Sequence, residues 1–244
     1  MGAMNMMNGT CGMLLYNDVG LEDVAPVRVV DVVVSPIKQA VTTVKRASIS
    51  GEDFVRIRGE TRTITVTFAL LENDRDARRE SMETVRRWAA GDRPGRLMLP
   101  DRIGQYIEAV CTTFPQLSVR EWWEVCQMVF TAYDPFFVST AENSSACGTP
   151  FMALGSRPPK MQIRATLSSA VDNPSWTNGK QTISLTGSIG PGALVIDLDK
   201  QTITLNGNSV MSAYAFPASD FIVPARGYNN IKGTGRVYWR ERWE

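Results

Sequence analysis

Residues 192–211, GALVIDLDKQTITLNGNSVM, constrain the fold more than any other stretch of this chain. Leu194, Ile196 and Leu198 alternate with Val195, Asp197 and Asp199. Alternation with period two places one set of side chains on each face of an extended strand. Asp199-Lys200-Gln201 interrupts the run, and Ile203 and Leu205 then resume the apolar face opposite Thr202, Thr204 and Asn206. Asn206-Gly207 follows, a dipeptide that accepts positive φ at both centres of a type I′ turn. A third strand begins over 208–211. The pattern predicts an antiparallel meander with one buried face and one wetter face. It contains no arrangement of catalytic residues.

The rest of the chain repeats the problem of apolar strand faces that need cover. Residues 27–34 are rich in β-branched side chains and predict a strand. Residues 61–70 alternate more cleanly, with Ile64, Val66, Phe68 and Leu70 on one face and Thr63, Thr65, Thr67 and Ala69 on the other. The period then changes. Asn73 or Asp74 caps a helix over 74–90 that Gly91 ends. Met82, Val85, Trp88 and Ala89 form its apolar stripe, and Arg75, Arg78, Arg79, Arg86 and Arg87 take the outside. Interspersed Asp76, Glu80 and Glu83 make those arginines a solvated face rather than a nucleic-acid patch. Residues 106–112 and 119–133 predict a long hairpin. On its second arm Trp122, Cys126, Met128, Phe130 and Ala132 share one face, and Trp123, Val125, Val129 and Tyr133 share the other. Two apolar faces imply two covers, from a second sheet, the helix or another subunit.

Residues 139–149, STAENSSACGT, are small and polar and read as an interdomain linker. The expected organisation is an N-terminal β-sandwich over 1–140 with helix 74–90, then a C-terminal all-β sandwich over 148–244. Lengths of this order suit two domains.

Chemistry is sparse. The chain of 244 residues has no histidine, which removes the commonest general base and metal ligand. With 26 basic and 25 acidic residues, its net charge of +1 gives no general pull toward nucleic acid or acidic membrane. No apolar run is long enough for a membrane span, and the first residues, Met-rich and polar, do not form a signal peptide. Cys11, Cys111, Cys126 and Cys147 include no CxxC pair. They are expected to be free thiols, although Cys111 and Cys126 lie on neighbouring predicted strands. Gly187, Gly190 and Gly192 lack the lysine and following helix of a phosphate loop. Asp197 and Asp199 share a strand face but lead into a turn. Asn8 and Asn143 match a glycosylation pattern that means nothing without secretion. Trp176 and Tyr214, both in loops, are the candidate sugar-stacking pair, against the plainer expectation of core packing. No catalytic residue, cofactor or metal is expected, so the chain is read as a non-enzyme.

The order of elements resembles the distal tail protein family, Dit, of long-tailed phages with non-contractile tails. The resemblance is carried by 62–68, RTITVTF, followed by one helix; by 130–137, FTAYDPFF, closing the hairpin; and by a fresh start at 148–150. It continues through LVID at 194–197, ITLNG at 203–207, Phe216-Pro217, GYNNI at 227–231 and YWRERW at 238–243. No long insertion marks a receptor-binding arm.

The resemblance implies a mainly β protein. Its N-terminal β-sandwich would be tail-tube-like with one flanking helix, and its C-terminal sandwich galectin-like or carbohydrate-module-like. It implies a virion structural protein of the tail tip or baseplate, assembled in the host cytoplasm. Six copies would form a ring joining the tail tube protein to the tail-tip hub protein and holding receptor-binding proteins. The alternatives are a module gripping host-surface glycan or another tail ring or tube protein. Arg86, Trp122 and Phe130 are the expected contributors to a subunit interface.

Overall fold

The computed structural model describes residues 13–44, 53–116 and 125–244, the side chains of 53 and 56–58 apart. Trp122, Trp123, residues 1–12 and Cys11 lie outside the described residues. The chain divides into two units, Met1–Phe137 and Val138–Glu244.

The first unit contains strands Leu15–Tyr16 (β1), Val19–Gly20 (β2), Val27–Val34 (β3), Gln39–Val44 (β4), Asp53–Gly59 (β5), Arg62–Leu70 (β6), Gly95–Met98 (β7), Gln105–Thr113 (β8) and Val125–Ala132 (β9). Its helices are Leu21–Val24 (α1) and Arg75–Ala89 (α2).

Strand β6 lies between β3 and β9, antiparallel to both. Period two decides what it buries. Ile64 meets Val34 and Phe130, Val66 meets Val32 and Met128, and Phe68 meets Val29 and Cys126. Ile64, Val66, Phe68, Met128 and Phe130 are fully buried. Strand β8 pairs with β7 through its first half and with β9 through its second, with a register shift after Cys111. One long strand thus turns from one sheet into the other, and such irregularities bend strands.

Helix α2 closes this core. The carboxylate of Asp74 accepts from the backbone N–H of Asp76 and Ala77 at 3.0 and 3.1 Å, satisfying donors that the first turn leaves open. Met82, Val85 and Ala89 are buried as the stripe requires. Trp88 packs its ring edge-on to Tyr16 and Phe130, at centroid distances of 5.7 and 6.3 Å. Helix α1, four residues long, is not legible in the sequence, because one turn carries no period. Strands β4 and β5 pair with each other, joining two stretches that the sequence shows only as extended pieces.

In the second unit the strands are Phe137–Ser139 (β10, entering from the first unit), Asn143–Ala146 (β11), Phe151–Ala153 (β12), Arg157–Leu167 (β13), Val171–Asp172 (β14), Ser175–Thr177 (β15), Thr182–Ser184 (β16), Ser188–Ile189 (β17), Gly192–Asp197 (β18), Thr202–Leu205 (β19), Asn208–Ser209 (β20), Gly227–Asn229 (β21) and Arg236–Trp243 (β22). Strand β13 runs between β18 and β22, with Ile163 opposite both Ile196 and Val237. The predicted meander forms in the expected register, Leu194 with Leu205 and Ile196 with Ile203. Asn206 and Gly207 both have positive φ, 50° and 82°. Gly192 is required at its position: φ is 146°, and an added Cβ would sit 2.4 Å from the Asn206 side-chain amide. The buried face of this sheet packs on Trp176, Ile183, Leu185, Phe221, Ile222 and Ile231, completing a sandwich.

The expected linker over 139–149 needs correction. Strand β11 within it pairs with β22, Ser144 opposite Tyr238. Small polar side chains read as a loop in sequence, yet an edge strand needs only its backbone to complete a ladder.

Two outcomes follow. Phe130→Ala removes a fully buried ring and should cost about 3–5 kcal/mol in denaturant unfolding of the first unit. The helix-capping bonds hold the Asp74 carboxyl below its usual range. A depressed folded-state pKa contributes stability above the ordinary value of about 3.9, lost as pH falls through the folded value. Asp74→Asn should therefore flatten the acid side of the stability–pH profile, measured by thermal melts from neutral pH downward.

Candidate interaction surfaces

The outer face of the β3–β6–β9 sheet is set by the residues opposite the core positions. Thr63, Thr65 and Thr67 of β6 stand beside Asp31 and Val33 of β3 and Gln127, Val129 and Thr131 of β9. Hydroxyls link part of this face: Thr112 Oγ1 lies 2.9 Å from Thr131 Oγ1, and Thr63 Oγ1 donates to Ser35 Oγ at 2.9 Å. Val33, Val125 and Tyr133 are each more than half exposed. The second apolar face of the β9 arm thus has no cover among the described residues. Among them, β3 pairs only with β6, so its far edge is open. The β4–β5 hairpin adds exposed Val41, Val44, Phe54 and Val55.

The candidate interface residues fall differently. Phe130 is buried in the core against Tyr16, 5.2 Å between centroids, so it cannot reach a neighbour. Strand β9 alternates, so Val125, Gln127 and Val129 take its outward face instead. Arg86 donates through Nε and a terminal nitrogen to the Pro115 carbonyl at 3.1 and 3.0 Å, and pairs with Glu83 at 2.7 Å. It ties α2 to the segment after β8 and remains about one-third exposed.

The candidate sugar-stacking pair does not form a groove. Trp176 is 1% exposed and its indole N–H donates to the Thr234 carbonyl at 2.8 Å. Tyr214 stacks on Phe221 at 5.1 Å, at the margin of the same core. Strand β15 turns Trp176 inward. Asp197 caps its own turn: Oδ1 accepts from Asp199 and Lys200 N–H at 3.1 and 2.9 Å, and Oδ2 accepts from Gln162 at 2.8 Å. Asp199 lies 3.8 Å from Arg242 instead of pairing with Asp197 at a site. The glycines at 187, 190 and 192 lead into strands, not a helix. Among the described residues no group of three or more His, Cys, Asp or Glu side chains is placed to hold a metal ion.

Two features of the second unit were not legible beforehand. On the outer sheet face, Arg164 makes a two-pronged bond to Glu142, both contacts 2.9 Å, and lies 4.3 Å from the Tyr238 ring centroid. The β12–β21 ribbon exposes Met152 opposite Tyr228, with Leu154 just beyond. Alternation over 151–154 was the available signal, but only two residues long.

Cys111 and Cys147 are free thiols, and the buried Cys126 thiol donates to the Gln116 carbonyl at 3.8 Å. Burial pushes the Cys111 thiol up to about 11 and raises that of Cys147 as well.

These surfaces belong to a mainly β, two-unit protein with one prominent helix. Residues 154–243 match the family "Siphovirus-type tail component, C-terminal domain". The chain has the fold of the Dit protein (gp 19.1) of phage SPP1, described as a paradigm of the hub adsorption apparatus in phages infecting Gram-positive hosts. The match has a TM-score of 0.79 at 16% identity and covers 95% of this chain and 99% of that one. A chain of the phage P2 baseplate in its activated conformation with Ca matches at a TM-score of 0.49 and 7% identity, covering 93% of each. No curated protein matches the chain. The family match is thus confined to residues 154–243 in the second unit, and the likeness to the SPP1 protein is one of fold.

Trp176→Ala should destabilise the second unit by about 3–5 kcal/mol in denaturant unfolding, as expected for losing a buried core side chain. Thiol labelling of the native protein should also discriminate. Cys147, part-exposed, should react before Cys111 and Cys126. The Cys111 rate should keep rising with pH toward about 11, where its thiolate forms.

Proposed function

We propose that this chain is a structural component of a phage tail tip that works by assembling into a ring. The reading is a hexamer that joins the tail tube protein to the tail-tip hub protein and anchors receptor-binding proteins. Its place is the virion tail, after assembly in the host cytoplasm. The carrying observation is the uncovered β3–β6–β9 face together with the open β3 edge and the apolar hairpin beside them in sequence. A strand edge of eight residues that is rich in valine, with only a bulge after Val29 to interrupt it, invites another chain. A ring needs heterologous contacts between unlike patches, which a free edge and a separate hairpin supply. The likeness to SPP1 Dit supports the same class of role.

The test is mass measurement of the full chain over a concentration series, with negative-stain imaging. Closed rings of six copies are expected. Val33→Lys and Val125→Lys place charges on the open face without touching the core, and each should lower assembly while leaving the melting temperature nearly unchanged. A chain that stays monomeric at every soluble concentration, alone and with tail tube protein added, would count against the ring.

A further inference from the structure

The two units differ in charge in a way the whole-chain value hides. Residues 1–137 carry 16 basic and 18 acidic side chains, and residues 138–244 carry 10 and 7. The first unit is therefore net −2 and the second net +3. On each unit, an exposed apolar feature carries charge of that unit's sign.

On the first unit, the register shift between Val29 and Asp31 sets Val30 out of the ladder, where it is 57% exposed. A groove of about 320 Å³ opens there, walled in part by Val29, Val30 and Pro100 and bearing the carboxylates of Glu22, Asp31 and Asp101. No basic side chain lines it. One Glu22 oxygen accepts from the Val29 N–H at 3.0 Å, which fixes that wall. Asp31 and Asp101 are exposed.

On the second unit, the β12–β21 ribbon presents Met152, Leu154 and Tyr228, each more than half exposed. Arg226, exposed, immediately precedes Gly227, the last residue of the ladder, and the segments 148–155 and 221–231 contain no acidic residue. The ribbon is held rigid. Asn229 donates to the carbonyls of Ala225 and Gly227 at 2.8 and 3.0 Å and accepts from the Ala225 N–H at 2.9 Å. Phe151 stacks on Trp239 at 4.1 Å and anchors the ribbon to the core. A pre-ordered tip loses little entropy on docking.

We infer that the β12–β21 ribbon of one copy docks into the acid-rimmed groove at the β3 bulge of a second copy, with Arg226 meeting Asp31 and Asp101 and the Met152–Leu154–Tyr228 patch covering Val29 and Val30. The occupant is this same chain because both halves of the match, apolar and charged, are present on it. The contact joins unlike patches, so it propagates from copy to copy. It rests on the self-assembly reading above and adds a second, electrostatic contact to the one made by the β3 edge.

The test uses the full chain in sedimentation velocity. Arg226→Glu and Asp31→Arg should each weaken assembly by about ten-fold or more, as like charges then meet at a close contact. The double reversal should recover most of the loss. Leu154→Ser should weaken assembly without a charge change, and melting curves should stay close to wild type because all three sites are exposed. Wild-type assembly with unaffected single variants overturns this contact and leaves the ring standing. Single variants that weaken assembly without rescue in the double overturn the pairing of these two sites. A wild type that is monomeric throughout overturns the ring and this contact together.

Discussion

Every feature of the first unit depends on strand β6 having a partner on each side and a different chemistry on each face. Its inner residues, Ile64, Val66 and Phe68, exclude water completely, and its outer threonines satisfy strand geometry without demanding cover. That division lets β3 and β9 register against it. It also gives α2 a single place to lay Met82, Val85 and Ala89. Burial of this kind contributes about 25 cal/mol per Å² of apolar area. The dry face therefore dominates stability, and the threonine face is free to serve contact. The same strand separates the two tasks that a structural assembly protein has to combine.

The parts legible in the sequence are those where one face is buried and the other is not. The meander over 192–211, the core positions of β6 and the α2 stripe all carry a period that survives inspection of side chains alone. The Asn206-Gly207 turn was readable because only certain residues accept its backbone. Elsewhere the signal fails for physical reasons. In β11, Asn143–Ala146 makes its ladder with backbone groups, and its small side chains carry no pattern. Strand β4 has side chains that are mostly exposed, so it has no contrast to read. Phe130 was legible as apolar and strand-forming, but which of two apolar faces turned inward depended on α2 and Tyr16, which approach from elsewhere in the chain. Trp176 shows the same limit: the partner that fixes it, the Thr234 carbonyl, is 58 residues away.

A chain without histidine loses the easiest proton acceptor at neutral pH, and its paired aspartates prove to be a turn cap at Asp197 and a partner for Arg242 at Asp199. Several polar side chains act on the backbone: Asp74 caps a helix, Asp197 closes a turn, Asn206 accepts from the Ala193 N–H across the ladder, and Asn229 braces a ribbon. Such bonds order loops that would otherwise cost conformational entropy at each docking event. In the proposed assembly role that ordering helps, because a surface already in its docked shape loses less entropy on contact.

Charge gives the last step. A net value of +1 suggests a chain indifferent to electrostatics, yet the division into units places opposite signs on the two halves. Between identical copies, overall repulsion is then weak, and attraction is available only when the first unit of one meets the second unit of another. Side-by-side pairing of like units gains nothing from it. Long-range fields of this kind act mainly on the rate and orientation of encounter, and salt weakens them over about 8–10 Å. The short-range fit must come from apolar surface such as Val30, Met152 and Tyr228. Orientation from charge and adhesion from apolar contact are separable requirements, and the inferred ribbon–groove contact would draw on both units for each.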